Sequence, residues 1–108
     1  MGKDTLGELE QQVLLAVLRL GANAYSASIV RMLEERTGRE VAPAAVYIAL
    51  RRLEQNGLAG SRMRSPRDGA RERRYFDVTE AGRRLLRESR RRLVSLWDGL
   101  DAELERGV

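Results

Sequence analysis

The chain has 108 residues and a formal net charge of +4, with 43% hydrophobic and 33% charged residues. That length allows one domain with a modest core, and the composition is globular, not disordered. Cysteine and histidine are absent, which excludes disulfides, thiol catalysis and thiolate metal sites and removes the commonest general base. We therefore expect no cofactor, no metal site and no enzymatic activity, while the positive charge suits an anionic partner.

The first predicted helix covers residues 6–20, after a T-x-x-E capping box formed by Thr5 and Glu8. Its apolar residues recur at helical spacing at Leu6, Leu9, Val13, Ala16, Val17 and Leu20. Further apolar residues lie outside that stripe, at Leu14, Leu15 and Leu18. A helix that is apolar over so much of its circumference is expected to be buried on two sides, one of them against a second partner.

Two more helices are predicted at residues 25–36 and 43–56, with a tight turn between them. Pro43 stands at the first position of the third helix, where its missing N–H has no helical partner to lose. One face of that helix is apolar, with Val46, Ala49, Leu50 and Leu53. The other face carries Ala44, Tyr47, Ile48 and Arg51. This pair predicts a helix-turn-helix, although Tyr47 can also be read as half-buried and bracing the second helix.

Two short runs at residues 58–64 and 71–78 flank the turn-forming sequence Ser-Pro-Arg-Asp-Gly, which predicts a β-hairpin. Tyr75 and Val78 are expected to pack inward. Between Arg62 and Arg74 there are six arginines and two acidic residues. A solvated hairpin is the simpler interpretation, but the position after a recognition-like helix favours contacts with DNA phosphates.

A fourth helix is predicted from the N-cap Thr79 to about residue 104, roughly 40 Å of helix. Leu86, Leu93 and Leu100 repeat every seven residues, and Leu96, Trp97 and Leu104 widen the same stripe. An overhanging apolar helix predicts a homodimer built from the first and fourth helices, unless the helix folds back on its own domain. We expect residues 1–78 to form the DNA-binding part and residues 79–108 the dimerisation helix of one structural unit.

The order of elements predicts a mainly α fold with a small β-hairpin, a winged helix-turn-helix with a C-terminal dimerisation helix. Four segments, together spanning roughly residues 5–90, carry a more specific pattern: LGELEQQVLLAVLRL, AYSASIVRMLEERTGREV, AAVYIALRRLEQNGLAG and RERRYFDVTEAGRRLL. This pattern resembles the PadR family of bacterial transcriptional regulators, in its small subfamily with a single C-terminal helix. The resemblance implies a dimeric repressor of a palindromic operator, and some members release DNA on binding small, often aromatic, molecules.

The predicted DNA-binding residues come from the third helix, the start of the second helix and the hairpin. They are Tyr25, Ser26, Pro43, Ala44, Tyr47, Ile48, Arg51, Arg71, Arg73 and Arg74. The third-helix residues are expected to meet base edges or the backbone, and the hairpin arginines to meet flanking phosphates or the minor groove. Backbone N–H groups at Tyr25 and Ser26 can hold a phosphate. The competing hypothesis is a protein-interaction module that uses the same fold without reading DNA.

The predicted dimer interface is apolar and comprises Leu14, Leu18, Leu86, Leu93, Leu96, Trp97, Leu100 and Leu104. Trp97 is the only tryptophan, and with its symmetry mate it is expected to flank a gap for a flat aromatic ligand. Leu14, Leu18 and Leu93 would form the walls, whereas in the simpler interpretation Trp97 fills the dimer core. No signal peptide or membrane span is visible in the sequence, so we expect a cytoplasmic protein whose partner is double-stranded DNA.

Overall fold

The computed structural model describes residues 6–106 of the chain. The helices and strands of this part are α1 Glu8–Leu20, α2 Ser26–Thr37, α3 Pro43–Gln55, β1 Ala59–Arg64, β2 Arg73–Val78, α4 Glu80–Trp97 and α5 Asp101–Arg106. A 3-10 turn, Gly21–Asn23, leads from α1 towards α2. The architecture is the predicted one: mainly helical, with a two-stranded antiparallel hairpin after a helix-turn-helix.

The core lies where α1, α2 and α3 meet one face of the hairpin. Its largest fully buried side chains are Leu14, Ile29, Leu50, Leu53, Val13 and Val46. Buried positions recur three or four residues apart along each helix, as at Val13 and Val17, Ile29 and Leu33, and Val46 and Leu50, so each helix presents an apolar stripe to the core. Full burial of each leucine or isoleucine contributes about 1.5–3 kcal/mol, which makes this contact the main source of stability. The apolar face predicted for α3 is confirmed.

The start of α1 differs from the prediction. Thr5, one half of the predicted capping box, lies outside the described residues. In the described part α1 begins at Glu8, and Gly7 is its N-cap. The N–H of Gly7 donates to Glu10 Oε1 at 3.1 Å, which satisfies one donor at the helix start.

The hairpin pairs Ala59 with Val78 at its base and Arg64 with Arg73 at its far end. β1 begins one residue later than predicted, at Ala59, and β2 begins two residues later, at Arg73, because the connection between the strands extends to residue 72. At the base the Phe76 N–H donates to the Ala24 carbonyl at 2.9 Å, which ties β2 to the segment before α2. Tyr75 is buried, as predicted. We call β1, β2 and their connection the wing.

Thr79 caps α4, as predicted: its Oγ1 accepts from the Gly82 N–H at 3.1 Å and donates to the Gly57 carbonyl at 2.7 Å. Gly82 permits a close approach of α4 to the wing, since a Cβ there would lie 2.3 Å from the Leu58 carbonyl oxygen. The first turns of α4 are therefore fastened to the domain.

The prediction of a single fourth helix that reaches residue 104 is wrong. α4 ends at Trp97, and a separate short helix, α5, begins at Asp101. Gly99 lies between them with φ +82°, in the left-handed region that interrupts a helix and that glycine adopts readily. The 18 residues of α4 span about 27 Å instead of 40 Å. Within residues 6–106, no helix has the length and apolar character needed to cross a membrane.

Candidate nucleic-acid interface

The outer face of α3 is open to solvent. Tyr47 and Ile48 are each 52% exposed, although the residues on either side of them are buried in the core. Arg51, one turn further on, is exposed and donates from Nη1 to Tyr47 Oη at 3.1 Å. Tyr47 therefore makes its polar contact within its own helix and does not brace α2. Three side chains of different chemistry stand together on one exposed helical face.

The N-terminus of α3 has a backbone donor and no side-chain cap. Ala42 is the N-cap residue and has no side-chain oxygen, and Pro43 occupies the first helical position. Pro43 and Ala44 are both exposed. Pro43 has no N–H, and the N–H groups of Ala45 and Val46 donate to the Ala42 carbonyl at 3.0 and 3.2 Å. The Ala44 N–H is therefore the backbone donor that this end of α3 can offer to an anion.

The start of α2 is arranged differently. The Tyr25 N–H donates to Ser28 Oγ at 2.9 Å, and the Ser28 hydroxyl in turn reaches the Asn23 carbonyl at 2.7 Å. The backbone donor of Tyr25, one of the two predicted phosphate contacts, is thus used inside the chain. Ser26, which is half-buried, opens the helix. The serine three residues after Tyr25 is the capping signal that would have revealed this arrangement.

The wing is joined to α2 by a cluster that we call the Tyr–Arg stack: Tyr25, Tyr75, Arg64 and Arg73. The two tyrosine rings meet edge to face with centroids 5.7 Å apart. Arg73 Cζ lies 3.9 Å from the Tyr25 centroid, and Arg64 Cζ lies 3.7 Å from the Tyr75 centroid. Guanidinium groups at these distances are attracted to the faces of the rings. The stack holds the far end of the wing against the start of α2.

This arrangement separates the three arginines that were predicted to contact DNA together. Side chains alternate along a strand, so Arg73 and Arg74 point to opposite faces of the wing. Arg73 belongs to the Tyr–Arg stack, whereas Arg74 donates to Ser61 Oγ at 3.0 Å on the other face. Arg71 lies before β2 and is exposed. The three do not form one patch, and Arg73 is engaged within the chain.

Arg31 also contacts the Tyr–Arg stack, and the sequence did not predict this contact. Its Nη2 donates to Tyr25 Oη at 3.4 Å from one and a half turns along α2. This hydrogen bond, with a smaller contribution from the charge of Arg73, lowers the pKa of the Tyr25 phenol below its usual value. The three charges Arg31, Arg64 and Arg73 therefore surround two aromatic rings beside the start of α2.

A second surface lies between α1 and α4, where an open groove of about 560 Å³ is lined mostly by apolar side chains. Leu15 and Leu18 form one wall, and Leu93, Val94 and Trp97 form the other. Trp97 is 56% exposed in the single chain. The lining also includes the polar residues Gln11, Arg83, Arg87 and Arg90. We call this surface the α1–α4 groove.

The prediction is wrong for one residue of this surface. Leu14 is fully buried in the core and cannot line an interface or a ligand site, and Leu15 takes its place at 45% exposure. Leu86 is buried against the core of its own domain and also borders the groove. The other predicted interface residues are exposed: Leu18, Leu93, Leu96, Trp97, Leu100 and Leu104.

The far part of α4 does not fold back on its own domain. Every residue from 90 to 106 is exposed in the single chain, so the apolar stripe of α4 and α5 faces solvent. Exposed apolar area of this extent on a small protein marks an interaction site. Among residues 6–106 no group of histidine, cysteine, aspartate or glutamate side chains is placed to hold a metal ion.

The family model described as the transcriptional regulator PadR-like family matches residues 14–88. The chain belongs to this family. PadR-family proteins regulate transcription and are not enzymes, in agreement with the resemblance and with the fold. No curated protein sequence matches the chain.

Solved structures of PadR-family regulators have the same fold. The regulator from Eggerthella lenta DSM 2243 is 31% identical, with a TM-score of 0.64 over 88% of this chain and 85% of that one. The regulator from Clostridium difficile R20291 is 20% identical, with a TM-score of 0.71 over 91% of this chain and 99% of that one. Bacillus subtilis PadR in complex with operator DNA is 20% identical, with a TM-score of 0.61, and matches 73% of this chain and 46% of that chain.

The PadR match covers the whole helix-turn-helix and the wing but ends in α4. Residues Tyr25 to Arg74, which carry every predicted DNA contact, lie inside it, while Leu93 and the residues after it lie outside.

Tyr25→Leu should destabilise the domain by about 1–2 kcal/mol, since it removes the face on which Arg73 stacks and the edge contact with Tyr75. Tyr47→Leu is the matched control, because its side chain is 52% exposed and its hydroxyl is bonded to Arg51 of the same helix. The unfolding midpoint of this variant in urea should stay close to that of the unchanged protein. Equal midpoints for the two variants would show that the Tyr–Arg stack does not hold the wing.

Proposed function

We propose that this PadR-family regulator is a dimeric repressor that reads a palindromic operator with α3 and contacts the flanking backbone with the wing. The observation that carries the proposal is the exposed face of α3, where Tyr47, Ile48 and Arg51 stand beside an arginine-rich ribbon. The operator complex of Bacillus subtilis PadR, which shares the fold, supports DNA as the partner. Such a regulator works where the bacterial chromosome lies, in the cytoplasm.

Each exposed residue of α3 has a distinct use in the major groove. A guanidinium pairs with guanine through two hydrogen bonds, and an apolar side chain contacts the thymine methyl group. Arg51 and Ile48 provide these two chemistries on the same face. The hydrogen bond from Arg51 to Tyr47 restricts the arginine before DNA arrives, which lowers the entropy lost on binding.

Backbone contacts are assigned to the residues around this face. Arg71 and Arg74 carry exposed charges on the wing, and phosphate contacts of this kind raise affinity without reading sequence. The backbone N–H of Ala44 at the start of α3 and that of Ser26 at the start of α2 are donors for further phosphates. Pro43, which has no N–H, lies beside the first of them as an exposed contact surface. Arg73 is assigned chiefly to orienting the wing through its contact with Tyr25.

The dimer is assigned to α1 and α4. A palindromic operator requires two copies related by a twofold axis, with half-sites roughly 34–36 Å apart or a multiple of this distance. The α1–α4 groove and the stripe from Leu93 to Leu104 supply an exposed apolar surface for a second copy. A homodimer through this surface leaves both α3 helices free for DNA.

The dimer also offers a place for an effector. Trp97 borders the α1–α4 groove next to Leu18 and Leu93, and a tryptophan face stacks well on a flat aromatic ring. A ligand between Trp97 and its symmetry mate would change the angle between the two domains and so the half-site spacing that they match. We propose a small aromatic molecule as the signal that relieves repression.

Arg51→Ala should weaken binding to the selected operator by about 1–3 kcal/mol more than binding to random duplex, because it removes a base contact. Arg71→Ala should weaken both by the same factor and reduce the slope of log affinity against log salt by about one, because it removes a phosphate contact. Gel-shift titrations at several salt concentrations measure both quantities.

Arg36→Ala serves as the control for loss of a charge, since Arg36 is exposed in the last turn of α2 and belongs neither to the proposed DNA contacts nor to the proposed dimer surface. It should change neither the operator preference nor the salt slope. If Arg51→Ala loses the same factor on operator and on random DNA, Arg51 does not read a base. If the unchanged protein does not bind duplex DNA at low salt, the protein-interaction alternative replaces this proposal.

The double variant Leu93→Glu, Leu100→Glu should be a folded monomer without tight operator binding. Both side chains are exposed in the single chain, so charge is tolerated there, but a carboxylate in an apolar interface loses its hydration. Sedimentation velocity measures the mass, and Met63→Glu, on the exposed wing, controls for removal of an exposed apolar side chain. A dimer that persists in the double variant would move the interface elsewhere.

Planar aromatic compounds should quench the fluorescence of Trp97 and weaken operator binding at the same concentrations. Trp97 is the sole indole, so the signal reports this site alone. Free N-acetyltryptophanamide controls for collisional quenching, and Trp97→Phe tests whether the effect on DNA binding needs the indole. If no aromatic or cationic compound of a broad panel does both, Trp97 fills the dimer core.

A further inference from the structure

The last quarter of the chain contains two segments of opposite charge. Residues 83–92 carry six arginines and one glutamate, and we call them the basic segment. Residues 98–105 carry four acidic residues and no basic one, and we call them the acidic segment. The basic segment lies in the middle of α4, and the acidic segment includes α5 apart from its last residue, Arg106.

The two blocks do not neutralise each other within one chain. In the described residues the ion pairs of this region are Arg87 with Glu80 at 3.2 Å and Arg106 with Glu103 at 3.5 Å, each between neighbours on an exposed surface. Such pairs contribute little, so both blocks keep their charge for another partner. The last residues of α4, 93–97, separate the two blocks along the chain.

We propose that the acidic segment of one subunit docks on the basic segment and the α1–α4 groove of the other, so that the two α4 helices run antiparallel. The proposal rests on the homodimer under Proposed function and adds its orientation and its charge pairing. Side-by-side helices in parallel would place arginines over arginines and carboxylates over carboxylates. The antiparallel arrangement places opposite charges together twice, once on each side of the twofold axis.

The chemistry of the groove matches this occupant. Its lining combines apolar Leu86 with the guanidinium groups of Arg83, Arg87 and Arg90. The acidic segment contains Leu104 between Glu103 and Glu105, an apolar side chain flanked by two carboxylates. The leucine fits the apolar part, and the carboxylates meet the arginines beside it.

The segment between the two blocks lies at the centre of this pairing. It contains Leu93, Val94 and Trp97, which are exposed in the single chain. In the antiparallel dimer these apolar residues of the two subunits would contact each other near the twofold axis.

Reversed charges test the proposal. One variant carries Asp101→Arg, Glu103→Arg and Glu105→Arg, and the other carries Arg83→Glu, Arg87→Glu and Arg90→Glu. Each alone should dimerise about tenfold or more weakly than the unchanged chain, because like charges then face each other. Mixed together, the two should form a heterodimer, measured by native mass spectrometry with two tags of different mass.

A control variant reverses three exposed acidic residues elsewhere, at Glu35, Asp68 and Glu72, and should dimerise as the unchanged chain does. Circular dichroism checks folding, and the single pair Arg87→Glu with Glu103→Arg replaces a triple variant that does not fold. The dissociation constant of the unchanged dimer should increase as the salt concentration rises, because salt screens the charge pairs. A purely apolar interface would not be weakened in this way.

The outcomes separate the two proposals. Homodimers of both charge variants as tight as the unchanged dimer, or mixtures without heterodimer preference, would overturn the antiparallel charge pairing and leave the dimer standing. A monomeric unchanged chain would overturn the dimer as well.

Discussion

The structure depends on one constraint: α1 is apolar on two faces, and a domain of this size can cover only one of them. Val13, Leu14 and Val17 enter the core and fix where α2 and α3 pack. Leu15 and Leu18 are left on the other side, beside α4. Full burial of a leucine contributes about 1.5–3 kcal/mol, so the area left exposed is a source of free energy for association. The same packing turns Tyr47 and Ile48 outward on α3.

The wing relies on a different kind of contact. Its base is fixed by backbone bonds and by Phe76 in the core, but its far end is held by arginines stacked on tyrosines. Cation–π contacts contribute about 0.5–2 kcal/mol each, less than a buried leucine. The orientation of the wing relative to α3 therefore depends on Tyr25 and Arg73. Arginines on one short ribbon thus have two roles, some positioning the wing and others presenting charge to solvent.

Local patterns predicted most of the fold. Helical spacing located α1, α2 and α3, and the alternation of buried and exposed positions on α3 separated Leu50 from Arg51 correctly. Thr79 was recognised as a cap because capping depends only on residues within one turn. The prediction missed the end of α4 because the seven-residue repeat of leucines continues past Gly99 to Leu100. The repeat was given more weight than Gly99, whose left-handed backbone conformation interrupts the helix.

Sequence alone determined the order of elements, the winged helix-turn-helix, the PadR resemblance and the exposed face of α3, because each is encoded within a few neighbouring residues. Only the tertiary structure decided which leucines of α1 face outward. A helix that is apolar on two faces has no single apolar stripe, so its sequence does not indicate whether Leu14 or Leu15 is buried. The tertiary structure also decided that Arg73 stacks on Tyr25 while Arg74 does not. That contact joins residues nearly fifty positions apart, and only the packing of the wing against α2 brings them together.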